Sequence, residues 1–215
     1  MWVKICGIRD VETATWVCRA GADAIGLNFY TPSPRSVSVP MATHIVNSLP
    51  ESVTPIGLFV NHAVAEIREI ARSCGLRTLQ LHGDESPEYL AELQGFDLIK
   101  AFRVSEGAFG VIDDYLGECR RLGVTLWGCL IDAHVKGSFG GTGQRADWEG
   151  LQRACKSDWP RLILAGGLTL ENVQEGIRQV HPWGVDTASG VESSPGVKEA
   201  PRIEAFVQNA KQTNA

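Results

Sequence analysis

The sequence predicts a single-domain (β/α)8 TIM barrel, and three observations carry that reading. Short apolar runs alternate with amphipathic helical stretches eight times, which implies parallel strands joined by right-handed crossovers. The connections are short and no linker interrupts them, so residues 1–215 read as one domain. The 215 residues allow about 27 per strand–helix unit, tight but sufficient for this architecture. A doubly wound open sheet is the alternative. It would leave edge strands, and neither the first nor the last strand is obviously polar.

The first strand is the apolar run Val3-Lys4-Ile5-Cys6, turned by Gly7. Asp10 is placed to cap a helix running through Trp16 to Arg19, because a short polar side chain satisfies the free N–H groups at a helix start. Gly21-Ala22 ends that helix, and residues 23–29 (DAIGLNF) form a second, buried strand. Pro32 and Pro34 make residues 30–36 a stiffened loop. A helix is expected over about 40–49, a third strand over 55–60 (PIGLFV) and a helix over 63–73 with Ile67 and Ile70 on one face. Residues 78–81 are a short fourth strand, followed by His82-Gly83-Asp84. Ser86 caps the next helix, with Pro87 at its first position and Glu88 and Glu92 inside it.

Residues 97–102 (DLIKAF) form the fifth strand, and Ile112, Tyr115, Leu116 and Cys119 mark a helix over about 108–121. The sixth strand covers 126–133 (LWGCLIDA), with Asp132 at its end. Residues 134–143 are the longest glycine-rich loop, a candidate lid or simply a flexible connection. Asp147 caps a helix through Cys155. Residues 161–165 (RLILA) are the seventh strand, closed by Gly166-Gly167, and Thr169 is expected to cap the following helix. Residues 184–186 are a short eighth strand, Ser189-Gly190-Val191-Glu192 follow, and a final helix covers about 198–210.

Composition sets bounds on function. Hydrophobic residues make up 44% and charged residues 21%, ordinary for a globular domain. A net charge of −5 disfavours a broad nucleic-acid surface but leaves room for a local cationic pocket. No apolar run approaches the roughly 20 residues of a membrane helix. Six cysteines fall at 6, 18, 74, 119, 129 and 155 without metal-site spacing, so no metal is expected. No secretory leader pattern opens the chain, and free thiols suit a reducing, cytoplasmic setting. The sequence is compatible with a monomer or a homodimer.

In a barrel the carboxyl ends of all strands meet at one mouth, where the chemistry sits. Cys6 ends strand one, the Pro-Ser-Pro-Arg35 loop follows strand two, His82 follows strand four, Asp132 ends strand six and Asp186 ends strand eight. Gly166, Gly167, Ser189 and Gly190, in the turns after strands seven and eight, are expected to cradle a phosphate. Glycine lets backbone approach a ligand, and helix-start N–H groups point at it. Each residue also has a plainer reading. Cysteine is among the most buried residue types, Arg35 alone would be a solvated loop charge, and Asp132 alone a loop cap. Cys18, Cys74, Cys119, Cys129 and Cys155 read as packing residues.

Several stretches together carry a family resemblance. They are Lys4-Ile5-Cys6-Gly7, Ser33-Pro34-Arg35, Gly57-Leu58-Phe59-Val60, Gln80-Leu81-His82-Gly83-Asp84, Leu130-Ile131-Asp132-Ala133, Gly140-Gly141-Thr142-Gly143, Leu164-Ala165-Gly166-Gly167-Leu168 and Ser189-Gly190-Val191-Glu192. In this order, over nearly the whole length, the chain resembles the phosphoribosylanthranilate isomerases of tryptophan biosynthesis. The resemblance implies a cofactor-free and metal-free Amadori rearrangement of a phosphorylated small molecule. It matches Cys6 to a general base, Asp132 to a general acid and Arg35 to an arginine beside the anthranilate carboxylate. It matches the Gly166-Gly167 and Ser189-Gly190 turns to phosphate loops, and Asp186 to a ribose-hydroxyl contact. His82 would line the mouth near the substrate. Thr187-Ala188 departs from the pattern, since many members carry a serine there.

Chemistry adds two demands. A free cysteine with a pKa near 8.5 is only about 3% thiolate at pH 7, a cost of roughly 2 kcal/mol to a base unless a cation such as Lys4 or Arg35 lies near. An aspartate acting as an acid must instead hold its proton, which burial or a substrate's own anionic groups favour. Two rival readings remain. Another phosphosugar enzyme of the same fold is one: an epimerase would want metal-binding histidines, a synthase would want a lysine at the mouth where Lys4 and Lys100 fall short, and a histidine-pathway isomerase would usually have an aspartate in place of Cys6. The other is a non-catalytic barrel that only binds a phosphorylated ligand.

Overall fold

The computed structural model describes residues 1–104, 107–133 and 147–213. Eight parallel strands close in sequence order: β1 (Trp2–Cys6), β2 (Ala24–Asn28), β3 (Thr54–Phe59), β4 (Thr78–Leu81), β5 (Asp97–Val104), β6 (Gly128–Ala133), β7 (Arg161–Leu164) and β8 (Gly184–Thr187). Lys4 of β1 lies opposite Asp186 of β8, so the sheet has closed and the open-sheet alternative falls. The helices are α1 (Val11–Ala20), α2 (Val39–Ser48), α3 (Val64–Cys74), α4 (Pro87–Ala91), α5 (Gly110–Arg121), α6 (Trp148–Ala154), α7 (Val173–Val180) and α8 (Ala200–Gln212).

Local chemistry explains most boundaries. Asp10 accepts from the Thr13 N–H at 2.7 Å, and Gly21, left-handed at φ 82°, ends α1. Ser86 and Asp147 cap α4 and α6 in the same way. Three expectations need correction. Thr169 does not cap α7: Asn172 occupies that position, and the intervening residues make a turn in which Thr169 N–H donates to Asn172 Oδ1 at 2.8 Å. Glu92 stands at the end of α4, not inside it, because that helix is only five residues long. After β8 the chain adds a 3-10 turn (Ser189–Val191) and a hairpin of β9 (Glu192–Ser194) and β10 (Val197–Lys198), so α8 begins later than sequence suggests.

Strand parity divides the side chains between two cores. One set, including Ile5, Ile25, Leu27 and Phe59, packs outward against the helices. The other fills the barrel: Ala24, Ile56, Ile99, Ala101, Leu130, Ile163 and Ala165. Trp2, Trp127 and Trp183 meet at the amino-terminal end with ring centroids 5.1–5.7 Å apart. The Arg161 guanidinium lies 4.6 Å from the Trp127 ring centre. That end is plugged, which leaves the opposite end for chemistry.

Candidate active site

The carboxyl ends of the strands surround a cleft lined by Cys6, Arg35, His82, Asp132, Gly166, Gly167, Asp186 and Ser189 among others. These include all but one of the candidate site residues. Gly190 sits behind the lining: a Cβ there would stand 2.0 Å from the Leu168 carbonyl oxygen, so its lack of a side chain lets the turn after β8 press on the turn after β7. The glycine-rich loop over 134–143 lies outside the described residues.

Cys6 and Lys4 are two residues apart on one strand and share the inward face. Lys4 is fully buried, which a charge tolerates only with a partner, and its Nζ donates to Asp186 Oδ1 at 2.8 Å. Burial lowers the Lys4 pKa, but the charges and hydrogen bonds of Asp186 and Cys6 outweigh it and leave it raised. Burial also pushes the Cys6 thiol up; Lys4 pulls it down, Asp186 pushes it up and Lys198 pulls it down, and burial prevails. The cation beside the thiol is therefore Lys4, joined by Lys198. The sulfur has room because residue 26 is glycine: a Cβ there would stand 2.6 Å from Cys6 Sγ.

Across the mouth, β4 and β6 supply a second group. Gln80 Nε2 donates to His82 Nδ1 at 2.8 Å, which leaves the other ring nitrogen to carry the hydrogen. That nitrogen, Nε2, faces Asp132 Oδ2 at 3.3 Å. Gln80 and His82 are both buried. His82 is thus a neighbour of Asp132 as well as a wall of the cleft. Gln80 was not singled out from sequence, although it has the same strand parity as His82.

Arg35 is not a solvated loop charge. It is buried, and its Nε and Nη2 donate to the two oxygens of Glu192 at 2.8 and 2.7 Å. Its stem lies across Gly7, where a Cβ would stand 2.9 Å from Arg35 Cδ and where φ is +80°, a conformation that favours glycine. Lys198 Nζ donates to Glu192 Oε1 at 2.7 Å. Burial pushes the Glu192 carboxyl up, but hydrogen bonds from Arg35 and Lys198 and their charges hold it below the usual carboxylate range. Asp186 is bound to Lys4 as well as facing the cleft.

Gly166 and Gly167 are both left-handed, at φ 77° and 67°. They turn the chain so that backbone, not side chain, faces the cleft beside Ser189. Thr187 Oγ1 donates to the Leu168 carbonyl at 2.7 Å and ties the two turns together. The mouth therefore offers a thiol beside an ammonium, a carboxylate beside an imidazole, an arginine at one edge and a backbone-lined turn at another. Among the described residues no three His, Cys, Asp or Glu side chains are grouped to hold a metal, and no helix is long and apolar enough to cross a membrane.

Comparison with known proteins matches the chain as a whole. The family model described as N-(5′-phosphoribosyl)anthranilate (PRA) isomerase matches residues 3–209. The N-(5′-phosphoribosyl)anthranilate isomerase of Trichlorobacter lovleyi is 44% identical over 211 residues, 98% of each chain. The crystal structure of phosphoribosyl anthranilate isomerase from Thermus thermophilus superposes with a TM-score of 0.86 at 30% identity, over 99% of both chains. A phosphoribosyl anthranilate isomerase in complex with reduced 1-(o-carboxyphenylamino)-1-deoxyribulose 5-phosphate has a TM-score of 0.85 at 34% identity, again over 99% of both.

Proposed function

The chain belongs to the N-(5′-phosphoribosyl)anthranilate isomerase family of tryptophan biosynthesis, and we propose that Cys6 and Asp132 isomerise this substrate as base and acid. The observation that carries the assignment is that these two groups come from β1 and β6 and line one cleft.

Asp132 donates its proton to the ribose ring oxygen. The bond from that oxygen to C1′ breaks, and the nitrogen lone pair forms a C1′=N iminium ion. The Cys6 thiolate then removes the C2′ proton, and the electron pair moves to neutralise the iminium, giving an enolamine. Its tautomerisation gives the 1-deoxyribulose ketone. Burial keeps most Cys6 as thiol in the free enzyme, but the iminium adds a positive charge to that of Lys4 at the step where the thiolate is required. His82 Nε2, facing Asp132, is suited to stabilise the carboxylate left by proton donation. Arg35 binds the anthranilate carboxylate, Asp186 a ribose hydroxyl, and the turns at Gly166-Gly167 and Ser189 hold the phosphate.

The test is turnover of N-(5′-phosphoribosyl)anthranilate, followed by loss of anthranilate fluorescence, in the native chain, Cys6→Ser and Asp132→Asn. Acid and base groups are each typically worth about 10² to 10⁴ in rate, so each variant should lose at least the lower bound while still binding a reduced product analogue. An unimpaired Cys6→Ser would assign the base to another residue. Tight binding without turnover by the native chain would make it a non-catalytic barrel.

A further inference from the structure

Arg35 and the turn after β8 are the two anion-facing edges of the cleft, and one short hairpin joins them. Glu192, at the start of β9, takes the Nε–Nη2 edge of Arg35 in a two-pronged hydrogen bond of 2.8 and 2.7 Å. Lys198, at the end of β10, donates to Glu192 Oε1 at 2.7 Å and to the Ala188 carbonyl at 2.8 Å. Ala188 immediately precedes Ser189, where the turn lining the phosphate edge begins. The hairpin tip also rests on the loop bearing Arg35: a Cβ on Gly196, at φ +84°, would stand 2.6 Å from the Pro34 carbonyl oxygen.

Charge and donor counts say what this arrangement leaves over. Arg35 has five N–H donors in a rigid fork, and Glu192 takes one each from Nε and Nη2, so Nη1 is left out of that pair, and Arg35 lines the cleft. An arginine–glutamate pair alone would be neutral. Adding Lys198 sets two basic groups against one carboxylate, a cationic surplus that burial reduces by lowering the Lys198 pKa. All three side chains are buried, where such a charge acts strongly on a ligand anion.

We propose that Glu192 and Lys198 are positioning residues that form a gauge across the cleft: they fix Arg35 relative to the phosphate turn and so select a ligand carrying a carboxylate at one end and a phosphate at the other. The proposal rests on the reading of Arg35 as the carboxylate-binding residue. Lys198 also lies near enough to Cys6 to act on the thiol, and the test must separate that effect from the gauge.

The experiment measures equilibrium binding of three probes: the reduced product analogue, its phenylamino counterpart lacking the carboxylate, and inorganic phosphate. The quantity read is the ratio of affinities for the first two. Charge-assisted hydrogen bonds of this kind make that ratio about tenfold or more in the native chain, and Arg35→Met should abolish it. Glu192→Gln and Lys198→Met should each shrink the ratio about fivefold or more, with phosphate affinity held within about twofold, and Lys198→Arg should restore it. If Arg35→Met abolishes the ratio while Glu192→Gln and Lys198→Met leave it intact, the gauge is overturned and the Arg35 reading stands. If Arg35→Met itself leaves the ratio intact, both fall. An unchanged ratio in Lys198→Met, with only the pH dependence of kcat altered, would assign Lys198 to Cys6 and also overturn the gauge.

Discussion

At the scale of single residues the site depends on what each side chain is denied. Cys6 is denied water, and burial holds its thiol above the ordinary range despite the neighbouring Lys4 ammonium. The base form therefore appears only as pH rises past the usual thiol value, and kcat/KM should still be climbing there. Thiolate absorbance, taken as the native chain minus Cys6→Ser, should titrate above the reference of about 8.5, and Lys4→Met should move it further up. A midpoint at or below that reference would contradict the burial argument. Cys6 was legible in the sequence because a cysteine ending an apolar strand before a glycine stands out. Its electrostatic partners were only half legible. Lys4 was a candidate cation, but its pairing with Asp186 spans 182 residues, and Arg35 pairs with Glu192 across 157. Such couplings exist only once the barrel has closed, and no local pattern encodes them. Gln80, by contrast, could have been found from strand parity alone, as a polar side chain two residues before His82.

Elements show a similar division between local and distant causes. Caps and left-handed glycines are local, so α1, α4 and α6 begin where Asp10, Ser86 and Asp147 indicate. Thr169 looked like the same signal but lost to Asn172, whose side chain accepts from Thr169 N–H and delays α7 by a turn. The β9–β10 hairpin carried no strand signal, since its strands are three and two residues long and are held by Arg35 and Pro34 from elsewhere in the chain. The turn after β4, which presents His82, is fixed by a different buried pair. Lys100 Nζ donates to Glu85 Oε2 at 2.9 Å and to the Gly83 carbonyl at 2.8 Å, while Glu85 also accepts from Asn61 N–H at 2.9 Å. Lys100 thus has a structural task. Lys100→Met should cost about 3–5 kcal/mol in urea unfolding, because it strands a buried carboxylate, and adding Glu85→Gln should recover a large part of that loss. A single-variant loss under about 1 kcal/mol would show that water reaches Glu85.

Across the whole molecule, the two ends of one barrel carry different burdens. Polar and charged side chains gather at the carboxyl end, where Lys4 pairs with Asp186 and Glu192 with both Arg35 and Lys198 in low-dielectric surroundings. The opposite end contributes no chemistry and closes the core with Trp2, Trp127 and Trp183, while Arg161 stacks on two of the rings. Between them lies a layer of small and branched apolar residues that insulates the plug from the cleft. This separation predicts that stability and activity can be perturbed independently. Trp127→Ala removes ring contacts with two tryptophans and the cation over its face. Because Trp127 is only half-buried, the expected loss is near the lower end for a tryptophan truncation, about 3 kcal/mol by denaturant unfolding. The folded variant should keep kcat and KM unchanged, since none of the three tryptophans lines the cleft. A matching fall in kcat below the unfolding transition would mean that strain at the plug travels along the strands to Cys6 and Asp132, and that the barrel is one mechanical unit from floor to mouth.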